Sequence, residues 1–234
     1  IKTTFEVFIR FVSAYKNKIN PNANTIVFKS DRIINYYHKI NEEQKQKYNI
    51  AFASIIRDVR GVFNSQKQTY CSLISKPLGN NPIETAIRWN KFIKLNNSLY
   101  RKPDFFTISY EELIRNPSSA FMGLLKDLEI KPFDFSTEVK GNLYERIPDN
   151  QKSMHYNIEK PPMIENCNKW KKELTDVEIG LIEKWSACNL QQFGYYLTNT
   201  KGSRLLLLLY ESFLLSKLFV KLIKNIVLLQ VYDY

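Results

Sequence analysis

The stretch that most constrains this chain is Ile50 to Ser65, IAFASIIRDVRGVFNS, where an apolar run ends abruptly at Arg57-Asp58 and passes through Arg60-Gly61 into a segment bearing Ser65. An apolar run without polar alternation predicts a parallel strand covered by helices on both faces. A strand leading straight into a helix places the strand's carboxyl end and the helix N-terminus together, which is where open α/β sheets bind their ligands. The residue types suit an anion. A planar guanidinium forks onto phosphate, a serine hydroxyl adds a donor, and the free N–H groups of a helix start add partial positive charge. The simpler alternative is that Arg57 pairs with Asp58 or another surface carboxylate, and the sequence leaves both open.

Periodicity along the rest of the chain predicts alternating elements. Residues 4 to 17 carry Phe5, Phe8, Ile9, Val12 and Tyr15 at helical spacing. A short strand is expected at 25 to 28, a helix at 31 to 48 with a solvated Glu42 to Lys47 run, and the strand at 50 to 56. Helices at about 60 to 70 and 83 to 100 follow, then a strand at 105 to 109, a helix at 118 to 128, an irregular Pro- and Asn-rich stretch from 131 to 168, and a helix at 175 to 192. Strands interleaved with helices define an α/β class with a parallel sheet flanked by helices. Residues 1–200 read as one domain and 201–234 as a C-terminal tail. In the tail, Leu205 to Leu209 are five consecutive leucines, and Lys217, Lys221 and Lys224 recur among apolar residues. Those charges interrupt it too often for a bilayer-spanning helix. The tail reads as an amphipathic helix that either touches a membrane surface peripherally or docks on protein.

Composition supports one sizeable core: 234 residues, 44% of them hydrophobic. The formal charge of +11 fits a multiply charged nucleotide or an acidic glycan, and equally nucleic acid or an anionic membrane. No paired Cys/His spacing, RNP-like strand or long basic run accompanies it, so no nucleic-acid partner is expected. Cys71, Cys167 and Cys188 share no C-x-x-C spacing, which argues against a disulfide scaffold and structural zinc.

Arg57-Asp58-Val59-Arg60 with Ser65 eight residues after the first arginine resembles the 3'-phosphate-binding segment of the sulfotransferases that use 3'-phosphoadenosine 5'-phosphosulfate (PAPS). Three more segments match in the family's order. Thr25-Ile26-Val27-Phe28-Lys29-Ser30 is similar to an upstream strand ending in lysine. Phe105 to Leu113, with Asn116-Pro117, is similar to a strand followed by Y-E-D-L and a proline. Trp170-Lys171-Lys172-Glu173-Leu174 and Phe193-Gly194-Tyr195 are similar to the family's closing W-K-x-x-L and F-G-Y. Together they cover roughly residues 20 to 195. The resemblance implies a P-loop NTPase-like sulfotransferase fold, with PAPS as sulfuryl donor and no metal.

It also implies site residues. Arg57 and Ser65 would hold the 3'-phosphate, Tyr110 would contact the adenosine, and Lys160 would reach toward the 3'-phosphate from the segment that closes over the nucleotide. Lys29 would supply the cation near the leaving oxygen. At the base the chain departs from the family, because Lys29-Ser30-Asp31 stands where cytosolic members carry K-x-H. Asp31 is the nearest candidate base, although an aspartate before an apolar-periodic run is also a helix N-cap. The family's Gly/Ser/Thr-rich phosphosulfate loop has no counterpart: the seven glycines stand at 61, 79, 123, 141, 180, 194 and 202. Its absence, and a first residue Ile1, lead us to expect a sequence that starts inside a longer reading frame, lacking the first strand and loop. The acceptor would be a hydroxyl or amine of a glycan or small molecule. The expected compartment is cytoplasmic, with the Golgi lumen or a membrane as the alternative if an anchor precedes Ile1. The competing reading is a catalytically inactive α/β domain that binds a nucleotide or polyanion.

Overall fold

The computed structural model describes residues 4–30, 33–71, 75–131, 144–152, 155, 160–198 and 204–232. In order these form α1 (Thr4–Ile19), a 3-10 turn (Ile33–Lys39), α2 (Glu42–Lys47), β1 (Phe52–Ile56), α3 (Val59–Gln68), β2 (Tyr70–Cys71), β3 (Lys76–Pro77) and α4 (Pro82–Leu99). Then come β4 (Phe105–Ser109), α5 (Tyr110–Arg115), α6 (Pro117–Asp127), α7 (Asp149–Lys152), α8 (Trp170–Glu173), α9 (Asp176–Gln192) and α10 (Arg204–Tyr232). β1 and β4 pair in parallel with Phe52 opposite Phe105 and Ile56 opposite Ser109, and β2 and β3 form a small antiparallel ribbon.

The parallel pair is the frame of the molecule. Its inner face presents Phe52, Ser54 and Ile56, all buried, to α4. Burying Ser54 is tolerable because Asn96 of α4 donates Nδ2 to its Oγ at 2.9 Å, while the other end of that amide accepts from Thr107 Oγ1 at 3.3 Å. One amide thus binds helix to both strands. Beyond the sheet, Val59, Phe63, Trp89, Ile93, Trp170, Leu174, Ile179, Ile182 and Leu190 form the main core between α3, α4, α8 and α9.

Four expectations need correction. The segment 25–30 forms no strand: Ile26, Val27 and Phe28 are exposed, and an apolar tetrapeptide becomes a strand only where a neighbour pairs its backbone. Phe28 instead meets Phe8 of α1 edge-on at 5.0 Å. The expected helix 31–48 is broken at Asn41, which adopts extended backbone and caps α2 reciprocally with Gln44, the role asparagine fills better than helix interior. β1 is not covered on both sides; Ile55 on its outer face is 52% exposed and burial alternates along the strand. Finally, the Glu42 to Lys47 run is not wholly solvated. Lys45 is buried, 3.1 Å from Asp104 Oδ2 and 3.9 Å above the Tyr37 ring, and Tyr37 donates its hydroxyl to Asp104. Burial raises the Asp104 carboxyl, but hydrogen bonds from Tyr37 and Lys45 outweigh it and hold the group below its ordinary value.

The tail docks. Leu214 of α10 is buried against Ile83 and Leu181, with Leu207, Tyr210 and Leu218 around it. Glu211 accepts from Lys184 Nζ at 2.7 Å and Trp185 Nε1 at 2.9 Å, which anchors the helix to α9. Among the described residues no helix is long and apolar enough to cross a membrane.

Candidate functional site

The carboxyl ends of β1 and β4 deliver Arg57-Asp58 and Tyr110-Glu111 side by side, since Ile56 and Ser109 are register partners. The two acidic residues go inward. Glu111, buried, accepts from the Asp58 backbone N–H at 3.0 Å, Ser109 Oγ at 3.2 Å and Tyr195 Oη at 2.7 Å. Asp58 caps α3 by accepting from the Arg60 N–H at 2.9 Å, and its carboxylate is gripped by the Arg60 fork at 2.7 to 3.2 Å. Arg60 continues to Glu183 at 2.6 Å and the Tyr196 carbonyl at 2.9 Å, lying 4.0 Å over the Trp170 ring.

Arg57 is consequently spared the pairing with Asp58 that the sequence left open. Its guanidinium lies 4.2 Å from the Tyr110 ring centroid, and Nη2 donates to the Asn166 carbonyl at 3.1 Å. Trp89 Nε1 pins the Arg57 backbone carbonyl at 3.0 Å. The guanidinium also rests on Gly61, where a Cβ would stand 3.2 Å from Nε. Ser65 is one helical turn beyond Gly61, so positions 61 and 65 share the face on which the guanidinium lies. Ser65 is exposed on that face. Half-buried Arg57, half-buried Tyr110 and exposed Ser65 therefore surround one surface, with a cation, an aromatic ring and a hydroxyl.

The other expected site residues are elsewhere or undescribed. Lys29 is exposed in the irregular 25–30 segment rather than at a sheet strand's end. Asp31 lies outside the described residues. Lys160 is exposed at a bend. Among the described residues no three His, Cys, Asp or Glu side chains converge as a metal ion would require. An open groove of about 620 Å³ between α4 and α9, lined by Asn90, Lys94, Lys184 and Trp185 among others, shares no residue with the Arg57 surface.

Sequence reading missed the buried Arg60–Asp58–Glu183 network, because Glu183 is remote in sequence and nothing in α9 marks it. It also missed how Tyr195 is aimed. Gly194 has φ +76, a conformation open to glycine, and closes α9 with Gly194 N–H to the Gln191 carbonyl at 3.0 Å and Tyr195 N–H to the Leu190 carbonyl at 2.9 Å. That cap turns the chain so that Tyr195 reaches Glu111. Burial, then the Glu111 carboxylate, drives the Tyr195 hydroxyl far above its ordinary value of 10. The unfolded chain releases that proton near 10 and the folded chain keeps it, so this contribution to stability is complete below 10 and is lost as pH rises beyond it. Urea midpoints are expected to fall between about pH 9 and pH 11, and less steeply in Tyr195→Phe than in the parent chain. Equal slopes in the two chains would remove Tyr195 from this account. Cys167, next to Asn166, is pushed up by burial and by Glu111, so it stays a protonated thiol.

No protein-family model matches the sequence, and no curated protein sequence matches it. The fold does match a solved structure: the sulfotransferase domain from the curacin biosynthetic pathway superposes with a TM-score of 0.56 over 82% of this chain and 71% of that one, at 16% identity. The chain therefore has a mixed α/β fold of the kind found in a sulfotransferase domain.

Proposed function

We propose that this chain is a PAPS-dependent sulfotransferase domain in which Arg57, Ser65 and Tyr110 hold the 3'-phosphoadenosine part of the donor. The observation that carries this is an arginine at a parallel strand's carboxyl end, stacked on a tyrosine and beside an exposed serine, with its would-be partner Asp58 already held by Arg60. A guanidinium whose described contacts are a carbonyl and a ring has its charge available to an anion. Arg57 and Ser65 take the 3'-phosphate, the Tyr110 ring offers its edge or hydroxyl to the adenosine, and Lys160 closes toward the same phosphate. The likeness in fold to a sulfotransferase domain supports the same reading.

In the reaction, the bond between sulfur and the bridging phosphate oxygen breaks while a bond from the acceptor oxygen or nitrogen to sulfur forms. The acceptor's proton passes to a base, and 3'-phosphoadenosine 5'-phosphate leaves. Charge gathers on the bridging oxygen, so a nearby cation lowers the barrier; Lys29 is our candidate for it and Asp31 for the base. The acceptor is a hydroxyl or amine of a glycan or small molecule.

Calorimetric titration tests the assignment. 3'-Phosphoadenosine 5'-phosphate is expected to bind at least about tenfold more tightly than adenosine 5'-phosphate, the difference a charge-assisted phosphate contact supplies. Equal affinities would reject the 3'-phosphate site. Binding of the nucleotide by the full-length protein without sulfuryl transfer would identify the inactive binding domain instead.

A further inference from the structure

We infer that the outward face of α10 is a docking surface for an anionic lipid membrane, on which the helix lies flat. The docked stripe of this helix is Leu207, Tyr210, Glu211, Leu214 and Leu218. At about 100° per residue the opposite arc carries Leu205, Leu209, Phe219, Val220 and Ile223, and each is at least 44% exposed. Ser212 and Ser216 are exposed within this arc, and an apolar surface of this extent on a helix fastened to a folded body needs a cover.

Charge selects the occupant. The helix holds one acidic residue, Glu211, and it is turned inward and buried against Lys184 and Trp185. The border between the two faces carries Lys217, with its ammonium 4.1 Å over the Phe213 ring, and on the docked side Lys221 bridges to Glu84 but keeps 58% of its side chain exposed. A second copy would bring the same lysine-edged face, on another chain of charge +11, against itself. An anionic bilayer accepts the leucines and phenylalanine into its headgroup boundary and draws the lysines to its surface. Fastening along α4 and α9 keeps the helix parallel to that surface instead of threading through it.

The test is flotation of the 234-residue chain with vesicles of phosphatidylcholine alone and with about one-third phosphatidylserine. Binding is expected to the second kind only, to be abolished by about 0.5 M salt, and to weaken about fivefold in Lys217→Gln. Leu209→Glu with Val220→Glu is expected to end flotation while leaving the circular dichroism spectrum and urea midpoint unchanged, because both residues lie off the docked stripe. Three results would overturn the inference: no flotation with either vesicle, equal flotation with both, or a parent chain that sediments as a dimer and becomes monomeric in the double variant.

Discussion

Arg57→Ala is expected to weaken binding of 3'-phosphoadenosine 5'-phosphate by about 10- to 150-fold, the range for deleting a hydrogen-bonded charge from a phosphate contact. The loss should fall on affinity and not on folding. Among the described residues the Arg57 side chain donates to the Asn166 carbonyl and is half buried, so its removal strands no buried partner charge. Calorimetry gives the affinity and a urea curve of the same sample verifies the fold. Arg57→Lys separates charge from shape: the lysine keeps the positive charge but loses the forked donors and the flat stacking on Tyr110, so partial recovery is expected. Ser65→Ala should cost less, about 2- to 10-fold, because a neutral hydroxyl contributes one uncharged donor. An isotherm for Arg57→Ala that overlays the parent's would refute the site at its centre.

Arg60→Ala is expected to destabilise the fold by about 3–5 kcal/mol, the cost of removing one member of a buried ion network. Arg60 is 2% exposed, and its removal leaves Asp58 and Glu183 as charges in a dry environment beneath Trp170. Glu183 also accepts from the Thr198 N–H at 2.9 Å and its hydroxyl at 2.8 Å, so the stretch after α9 should loosen as well. Urea unfolding followed by circular dichroism measures the change. Adding Glu183→Gln to an Arg60→Met variant should restore part of the stability, since it neutralises one of the two stranded carboxylates. If both variants unfold at the parent's midpoint, the network is not what holds the strand end.

These two arginines, three positions apart, show how far local sequence reaches. Both follow the same strand, and residue type alone assigns neither of them to core or surface. The difference arises from Glu183 and Trp170, more than a hundred residues later, which enclose Arg60. Arg57 points along the Gly61 face toward Tyr110 because β4 pairs in register with β1, a contact with no local signal. Lys45 makes the same point. Its polar neighbours predict a solvated helix face, and only the arrival of Asp104 gives a reason to bury an ammonium.

What the amino-acid order determined by itself was local: the helices at 4–19, 82–99, 117–127 and 176–192 and the strands at 52–56 and 105–109, because periodicity, caps and apolar runs act over a few residues. It also placed Arg57 and Tyr110 at strand ends, where side chains are free to form a site. The tertiary structure alone decided which carboxylates each cation meets, that 25–28 pairs with no strand among the described residues, that β1 keeps one open face, and that α10 buries one stripe and leaves the other bare. Those outcomes depend on contacts between residues far apart in the chain, and pairing, burial and charge neutralisation exist only once those residues are brought together.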